Sequence, residues 1–129
     1  MKGNVEDLIK YRISRSLETY KEAETMIKSG FWNASVNRIY YSCYYAVSGL
    51  LLMKTIETDS HKGIRQMFGL HFVQKGLVSK EDGRFFSGLY DRRQTGDYDD
   101  FFLYDEETVL NLFKQAEGFI ERIIKLLNQ

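Results

Sequence analysis

Proline is absent from this sequence of 129 residues, and cysteine occurs once, at position 43. Without proline, nothing in the chain forces a helix to break, and the usual boundaries between short strands are missing. A single cysteine excludes a disulfide within the chain and any metal site built on cysteines. Because Cys43 lies in the apolar run YYSCYYAVSGLLLM, we expect it to be a buried core residue and not a catalytic thiol.

Net charge is also lacking, since 18 basic residues balance 18 acidic ones. Bulk charge therefore gives no case for a nucleic-acid binder, and only a local cluster of cations could make one. The longest strongly apolar stretch, about residues 46–53, is much too short to span a bilayer. The N-terminal segment MKGNVEDLIKYR has no apolar run of the kind found in secretory signals. We therefore expect a cytoplasmic protein with no membrane segment.

Apolar residues recur at helical spacing along most of the chain, and the C-terminal segment after Asp105 shows the clearest such stripe. Ser60, Ser79 and Asp105 are placed as N-caps, and Gly30 and Gly76 as helix stops. This pattern predicts an all-α, up-and-down helical bundle of about five helices in a single domain, residues 1–129. The expected helices cover residues 4–28, 32–54, 61–74, 80–95 and 106–127.

The segment SVNRIYYSCYYAVSGLL presents two faces when it is drawn as a helix. One face is apolar and is expected in the core; it consists of Val36, Ile39, Cys43, Val47 and Leu50. The other face combines apolar rings with polar terminal groups; it consists of Asn37, Tyr41, Tyr44 and Ser48. Either this second face packs against neighbours with its hydroxyls satisfied, or it faces a cleft or subunit interface where Asn37 and Arg38 touch a polar ligand.

Three segments in order, NRIYYSCYYAVSGLL, SHKGIRQMFGLHFVQKGLVSKED and RRQTGDY, resemble the HEPN (higher eukaryotes and prokaryotes nucleotide-binding) domain family, in its small bacterial and archaeal branch. The resemblance covers about residues 7–127. It implies a helical bundle, usually a homodimer, that is associated with RNA or a nucleotide. Many members of that family are, or derive from, metal-independent ribonucleases, and several act as toxins beside a small nucleotidyltransferase that serves as antitoxin.

The resemblance also places a functional motif, an arginine followed some positions later by a histidine, at the end of the fourth helix. Arg92 or Arg93 supplies the arginine here, but Asp97 and Tyr98 stand where the histidine is expected, which gives Arg-x-x-x-Asp-Tyr. Arg93 and Asp97 are therefore the candidate catalytic pair of a possible ribonuclease. The candidate binding residues around them are Arg92, Tyr98, Asn37, Arg38 and Tyr41.

The chemistry of metal-independent RNA cleavage fits this set only in part. The reaction needs a base for the 2′-hydroxyl, an acid for the leaving oxygen and a cation for the charge on the phosphorane. Arginine suits the last role, because its guanidinium is always charged and can donate hydrogen bonds to two phosphate oxygens at once. Aspartate ionises near ~3.9, so it is a weak base at neutral pH unless its neighbours disfavour the charged form.

Other interpretations of the same residues stay open. If the fourth helix persists past Gly96, which is a natural place to stop, Arg93 and Asp97 lie one turn apart and can simply pair. The segment DYDDFFLYDEE holds six acids and no base, and would repel a phosphodiester backbone. In a non-catalytic interaction module, this segment would be the surface that docks a nucleotidyltransferase or another partner, with Tyr98 or Tyr104 as the residue modified. The aromatic surplus could also serve only to build a dimer interface.

The two histidines, His61 and His71, are ten residues apart with no clustered carboxylate partner, so the sequence predicts no metal site. It also shows no glycine-rich phosphate loop and no dinucleotide fingerprint, and we expect no cofactor. His61 follows the capping Ser60, where a free imidazole could bind phosphate at a helix N-terminus. We expect it instead to be an exposed first-turn residue beside Lys62.

Overall fold

Five α-helices and one short π-helical turn follow one another in the computed structural model, which describes residues 2–58 and 60–129. Those ranges contain no strand, so the all-α prediction is confirmed. The helices are α1 (Lys2–Lys28), α2 (Trp32–Met53), α3 (His61–Phe68), α4 (Lys80–Tyr98) and α5 (Glu106–Leu127), with the π-helical turn at Gly69–Val73 between α3 and α4.

Helix α2 lies at the centre of the bundle, packed by α1, α4 and α5. The face predicted for the core is fully buried along its whole length; it consists of Val36, Ile39, Cys43, Val47 and Leu50. Burial raises the pKa of the Cys43 thiol, which keeps it protonated and unreactive. The prediction of a core cysteine is therefore confirmed.

A stack of aromatic rings ties α2 to the other two long elements of the core. Tyr40 on α2 stacks on Phe86 of α4 at 6.0 Å between ring centroids. Phe86 in turn stacks on Phe119 of α5, also at 6.0 Å. All three side chains are at most 1% exposed, so the stack is part of the close-packed interior.

The helix ends follow the local signals of the sequence. Each predicted N-cap side chain accepts a hydrogen bond from the backbone N–H three residues on, in the pairs Ser60–Gly63, Ser79–Asp82 and Asp105–Thr108. Gly30 and Gly76 adopt φ of 75° and 74°, a left-handed conformation that glycine takes without strain. These caps set where α3, α4 and α5 begin.

Two boundaries depart from the sequence prediction. Helix α3 ends at Phe68 and not at residue 74, because the backbone widens into the π-helical turn, where the N–H of Gln74 bonds to the carbonyl of Gly69. Helix α4 continues to Tyr98, so the expected stop at residue 95 before Gly96 is wrong. Gly96 instead makes room for the ring of Tyr104, which a Cβ there would approach to 3.2 Å.

Among the described residues, the helices are all too short or too polar to cross a lipid bilayer.

Candidate functional site

Arg93 of α4 is held among three aromatic rings at the contact between α2 and α4. Its guanidinium carbon lies 5.1 Å from the ring centroid of Tyr40, 5.7 Å from that of Tyr41 and 6.0 Å from that of Tyr90. The negative faces of such rings stabilise a cation, and they do so more strongly where water is excluded. Arg93 is only 7% exposed. We call Tyr40, Tyr41 and Tyr90 the tyrosine cage.

Asp97 is the counter-charge of Arg93, one turn further along α4. Its Oδ2 lies 3.6 Å from Nη1 of Arg93, a pairing that is possible because the helix persists past Gly96. Asn37 of α2 donates from Nδ2 to both carboxylate oxygens of Asp97, at 3.1 and 3.3 Å. The predicted catalytic pair is thus in contact, and its carboxylate also ties α4 to α2.

Arg38 extends this polar contact to α1. Its Nε and Nη2 donate to Oδ1 of Asn37 at 3.0 and 2.7 Å, and its Nη1 bonds to Glu22 at 3.1 Å. The Arg38 guanidinium also lies over the ring of Tyr41, at 5.2 Å. A network of polar contacts therefore runs from α1 through α2 to α4, in which the neutral Asn37 side chain links the Arg38–Glu22 pair to Asp97.

His61, at the start of α3, is half-buried against the same rings and is not the exposed residue that we expected. Its Nδ1 lies 2.8 Å from the hydroxyl of Tyr40, and its ring centroid lies 4.6 Å from that of Tyr44 and 5.5 Å from that of Tyr41. Burial, and then the positive charge of Arg93, lower the pKa of His61 below its ordinary value. The imidazole is therefore neutral at pH 7.

A small residue at position 63 lets α3 start where it does. A Cβ on Gly63 would overlap Oγ1 of Thr58 and approach Oγ of the capping Ser60 to 2.9 Å. The triplet His61–Lys62–Gly63 thus has a local physical reason: the glycine admits the cap, and the cap sets the histidine against α2. The His-Lys-Gly triplet is therefore the sequence signal from which the capped start of α3, where His61 lies, could have been predicted.

Replacing Gly63 with alanine is expected to move His61 away from the tyrosine cage. The new methyl group must displace Thr58 or Ser60, which we expect to cost about 1–3 kcal/mol and to bring the pKa of His61 back toward 6.5. Thermal unfolding and an NMR titration of the imidazole measure the two effects. Gly69→Ala is the matched control, because no atom lies within 4 Å of a Cβ there. An unshifted His61 titration in Gly63→Ala would contradict this explanation of the triplet.

The structure separates the predicted site residues into two groups. Arg93, Asp97, Asn37, Arg38 and Tyr41 come together between α2 and α4. Arg92 and Tyr98 are exposed, the latter by 76%. They lie next to the cluster in sequence, but their side chains face solvent.

Asn33 holds the acidic segment after α4, and nothing in its local sequence indicated this. Its Nδ2 donates to the carbonyl of Phe102 at 2.9 Å, and its Oδ1 accepts from the N–H of Tyr104 at 2.9 Å. The ring of Tyr104 is 5% exposed, and its hydroxyl donates to the carbonyl of Arg92 at 2.8 Å. The expectation that Tyr104 is open to modification is therefore wrong for the folded chain, whereas Tyr98 is accessible.

Comparison with known proteins gives consistent matches over most of the chain. The family model described as HEPN domain matches residues 9–127. A UPF0332 protein of Thermotoga maritima is 38% identical over 122 residues, which cover 95% of this chain and 92% of that protein. Two Methanocaldococcus jannaschii proteins whose names read "putative toxin" are 32% and 29% identical, each over 98% of this chain and over 83% and 93% of their own lengths.

Proposed function

Because the chain belongs to the HEPN domain family, we propose that it is a toxin-like member that binds and cleaves RNA as a cytoplasmic homodimer. Two similar proteins bear names that describe them as toxins, which supports the toxin-like part. The contact with RNA rests on the residues around Arg93. In a homodimer, two such clusters would lie at one cleft and double the positive charge offered to a phosphodiester.

Arg93 is the residue that we assign to the scissile phosphate. The one ion pair that the structure gives it is at 3.6 Å, looser than a bidentate contact, and its Nε is a buried donor without a partner among the described residues. An unsatisfied buried N–H is costly, so it favours a ligand that can accept from it. A phosphate oxygen is such an acceptor, and the rigid cage orients the guanidinium before the substrate arrives.

Asp97 serves in this proposal to orient Arg93 and not to take a proton from the RNA. Asn37 donates to both carboxylate oxygens, and Arg93 faces one of them. Both carboxylate oxygens are therefore engaged by donors within the protein, which suits an orienting role. The role of proton acceptor is therefore left to another group.

The single observation that supports RNA as substrate is that Arg93, the arginine of the motif, is enclosed by three tyrosine rings while its Nε has no hydrogen-bond acceptor among the described residues. The test is to incubate purified wild-type protein with a broad panel of single-stranded and structured RNAs, following both binding and cleavage. We expect binding that weakens with salt, and cleavage of at least part of the panel. If no RNA is bound or cut, the proposal is wrong.

Arg92→Ala is expected to weaken RNA binding without changing the fold. The Arg92 side chain is exposed beside the cluster, and the Tyr104 hydroxyl donates to the Arg92 backbone carbonyl, which alanine retains. Loss of one phosphate contact should lower affinity across all RNA sequences and reduce the slope of log affinity against log salt by about 1. Arg84→Ala is the matched control, because Arg84 is also an exposed arginine of α4 but lies near the start of that helix, outside the motif. Equal slopes for the two variants would count against an RNA surface at Arg92.

A second candidate function is the docking of a nucleotidyltransferase antitoxin at the acidic segment, residues 97–107. Three large hydrophobic side chains of this segment are exposed: Tyr98 by 76%, Phe101 by 101% and Leu103 by 74%. Exposed hydrophobic side chains grouped in this way among carboxylates are typical of a protein-binding surface. Co-expression with a nucleotidyltransferase, followed by affinity purification and intact-mass measurement, tests it. Co-purification that is lost in Phe101→Ala, or added mass that is lost in Tyr98→Phe, would support docking. An unmodified chain that purifies alone would contradict it.

A further inference from the structure

We propose that His61, at the start of α3, is the residue that accepts the proton of the RNA 2′-hydroxyl, in place of the histidine that the motif at the end of α4 lacks. The proposal rests on the proposed function, since it assigns a residue to that reaction. It concerns a position that the motif does not include, 36 residues earlier in the chain than Asp97.

The placement of His61 relative to Arg93 is the first support. Both side chains contact the rings of Tyr40 and Tyr41: His61 at 5.7 and 5.5 Å between ring centroids, Arg93 at 5.1 and 5.7 Å from its guanidinium carbon. A phosphate held by Arg93 would therefore bring an adjacent ribose close to the imidazole. Base and cation are positioned by the same two rings, which fixes the distance between them.

The orientation of the imidazole is the second support. Nδ1 lies 2.8 Å from the hydroxyl of Tyr40, so this nitrogen is engaged within the protein and Nε2 is the nitrogen left for a substrate. When Nδ1 carries the hydrogen and donates to the Tyr40 oxygen, Nε2 presents a lone pair. Burial raises the pKa of Tyr40 above its ordinary value, so its hydroxyl keeps its proton and stays in place.

The electrostatic surroundings favour a base at neutral pH. The ionisable and charged groups that face His61 are Tyr40, Tyr41 and Tyr44 from α2 and Arg93 from α4. Burial and Arg93 both disfavour the imidazolium, so the neutral form dominates at pH 7. Since folding lowers this pKa, the unfolded chain binds the proton more tightly, and acidification below about pH 6.5 destabilises the fold through this residue.

The reaction can be written without another reactant except water. Nε2 takes the proton of the 2′-hydroxyl while the 2′-oxygen attacks the adjacent phosphorus, with Arg93 beside the developing charge. The bond from phosphorus to the 5′-oxygen breaks, and that oxygen leaves with the electron pair and takes a proton from water. The products are a 2′,3′-cyclic phosphate and a 5′-hydroxyl. The imidazolium then releases its proton to the hydroxide that remains.

The test compares His61→Asn with His71→Asn, which replaces the chain's other histidine. We expect His61→Asn to lower kcat by about 100-fold or more while RNA affinity stays near the wild-type value, and His71→Asn to leave both unchanged. Added imidazole should restore part of the rate to His61→Ala. Wild-type kcat in His61→Asn overturns the proposal but leaves the RNA function standing. Wild-type protein that binds RNA without cutting it overturns the proposal together with the cleavage part of the proposed function, and protein that neither binds nor cuts RNA overturns both completely.

Tyr40→Phe covers the case in which His61→Asn does not fold. This variant keeps the stacked ring and removes only the hydroxyl that orients His61. We expect a lower kcat and a shifted acid limb of the pH profile of kcat/KM, whose wild-type midpoint lies below about 6.5. An NMR titration should also show the His61 midpoint rising when Arg93 is replaced by methionine. A wild-type rate and pH profile in Tyr40→Phe would overturn the proposal.

Discussion

Replacing Arg93 with methionine is expected to lower the rate of RNA cleavage by about 100- to 1,000-fold, because the variant removes the cation that we assign to the reacting phosphate. Methionine is close to arginine in length and packs against aromatic rings, so the tyrosine cage should stay filled. Asp97 loses its counter-charge, but its side chain is 27% exposed and keeps the Asn37 bonds. We therefore expect a loss of about 2 kcal/mol in unfolding free energy, below the 3–5 kcal/mol typical when a fully buried pair is broken.

Arg65→Met is the matched control for this experiment. Arg65 also lies over a cage tyrosine, at 4.3 Å from the ring of Tyr90, and also pairs with an aspartate, at 3.5 Å from Asp91. It lies on α3 and outside the motif, so its replacement should leave cleavage near the wild-type rate. Equal activity of the two variants, whether both active or both inactive, would show that Arg93 has no special role.

Phe86→Ala is expected to lower the free energy of unfolding by about 3–5 kcal/mol, a large share of the total stability. Phe86 is 1% exposed and lies between Tyr40 and Phe119, so its removal opens a cavity where α2, α4 and α5 meet. A domain of this size has roughly 5–15 kcal/mol of stability in total, so the melting temperature should fall by more than about 10 °C. Chemical denaturation with urea measures the free energy directly.

Phe101→Ala provides the comparison, since it removes the same side chain from a position that is 101% exposed. We expect its unfolding free energy to stay within about 0.5 kcal/mol of wild type. If Phe86→Ala is as stable as Phe101→Ala, the ring stack does not hold the bundle together as the distances indicate.

The parts of the fold that could be predicted from sequence are those with local causes. Ser60, Ser79 and Asp105 cap helices through bonds to residues three positions away, and the buried face of α2 follows from periodicity alone. The pairing of Arg93 with Asp97 is of the same kind, because the two lie one helical turn apart. The predicted stop of α4 before Gly96 was wrong, and the cause there was not local: the glycine admits the ring of Tyr104.

The parts that could not be predicted depend on contacts between distant segments. Tyr40 and His61 are 21 residues apart, and nothing in the first turn of α3 indicates that it packs against α2. Asn33 binds the backbone of Phe102 and Tyr104 from about 70 residues away. Polar residues such as these are most often exposed to solvent, so exposure is the reasonable expectation from sequence, and packing between distant segments partly buries them instead. The half-burial of His61 beside the tyrosine cage was therefore not predicted.

The most direct test of the RNA site is a crystal structure of the protein with a short RNA analogue whose 2′-hydroxyl next to the central phosphate is replaced by hydrogen, so that it cannot be cut. We expect a phosphate oxygen within about 3 Å of the Arg93 guanidinium and the adjacent ribose C2′ facing Nε2 of His61. RNA bound only at other surfaces, with the tyrosine cage closed over Arg93 and its pairing with Asp97 unchanged, would contradict an RNA site at this place.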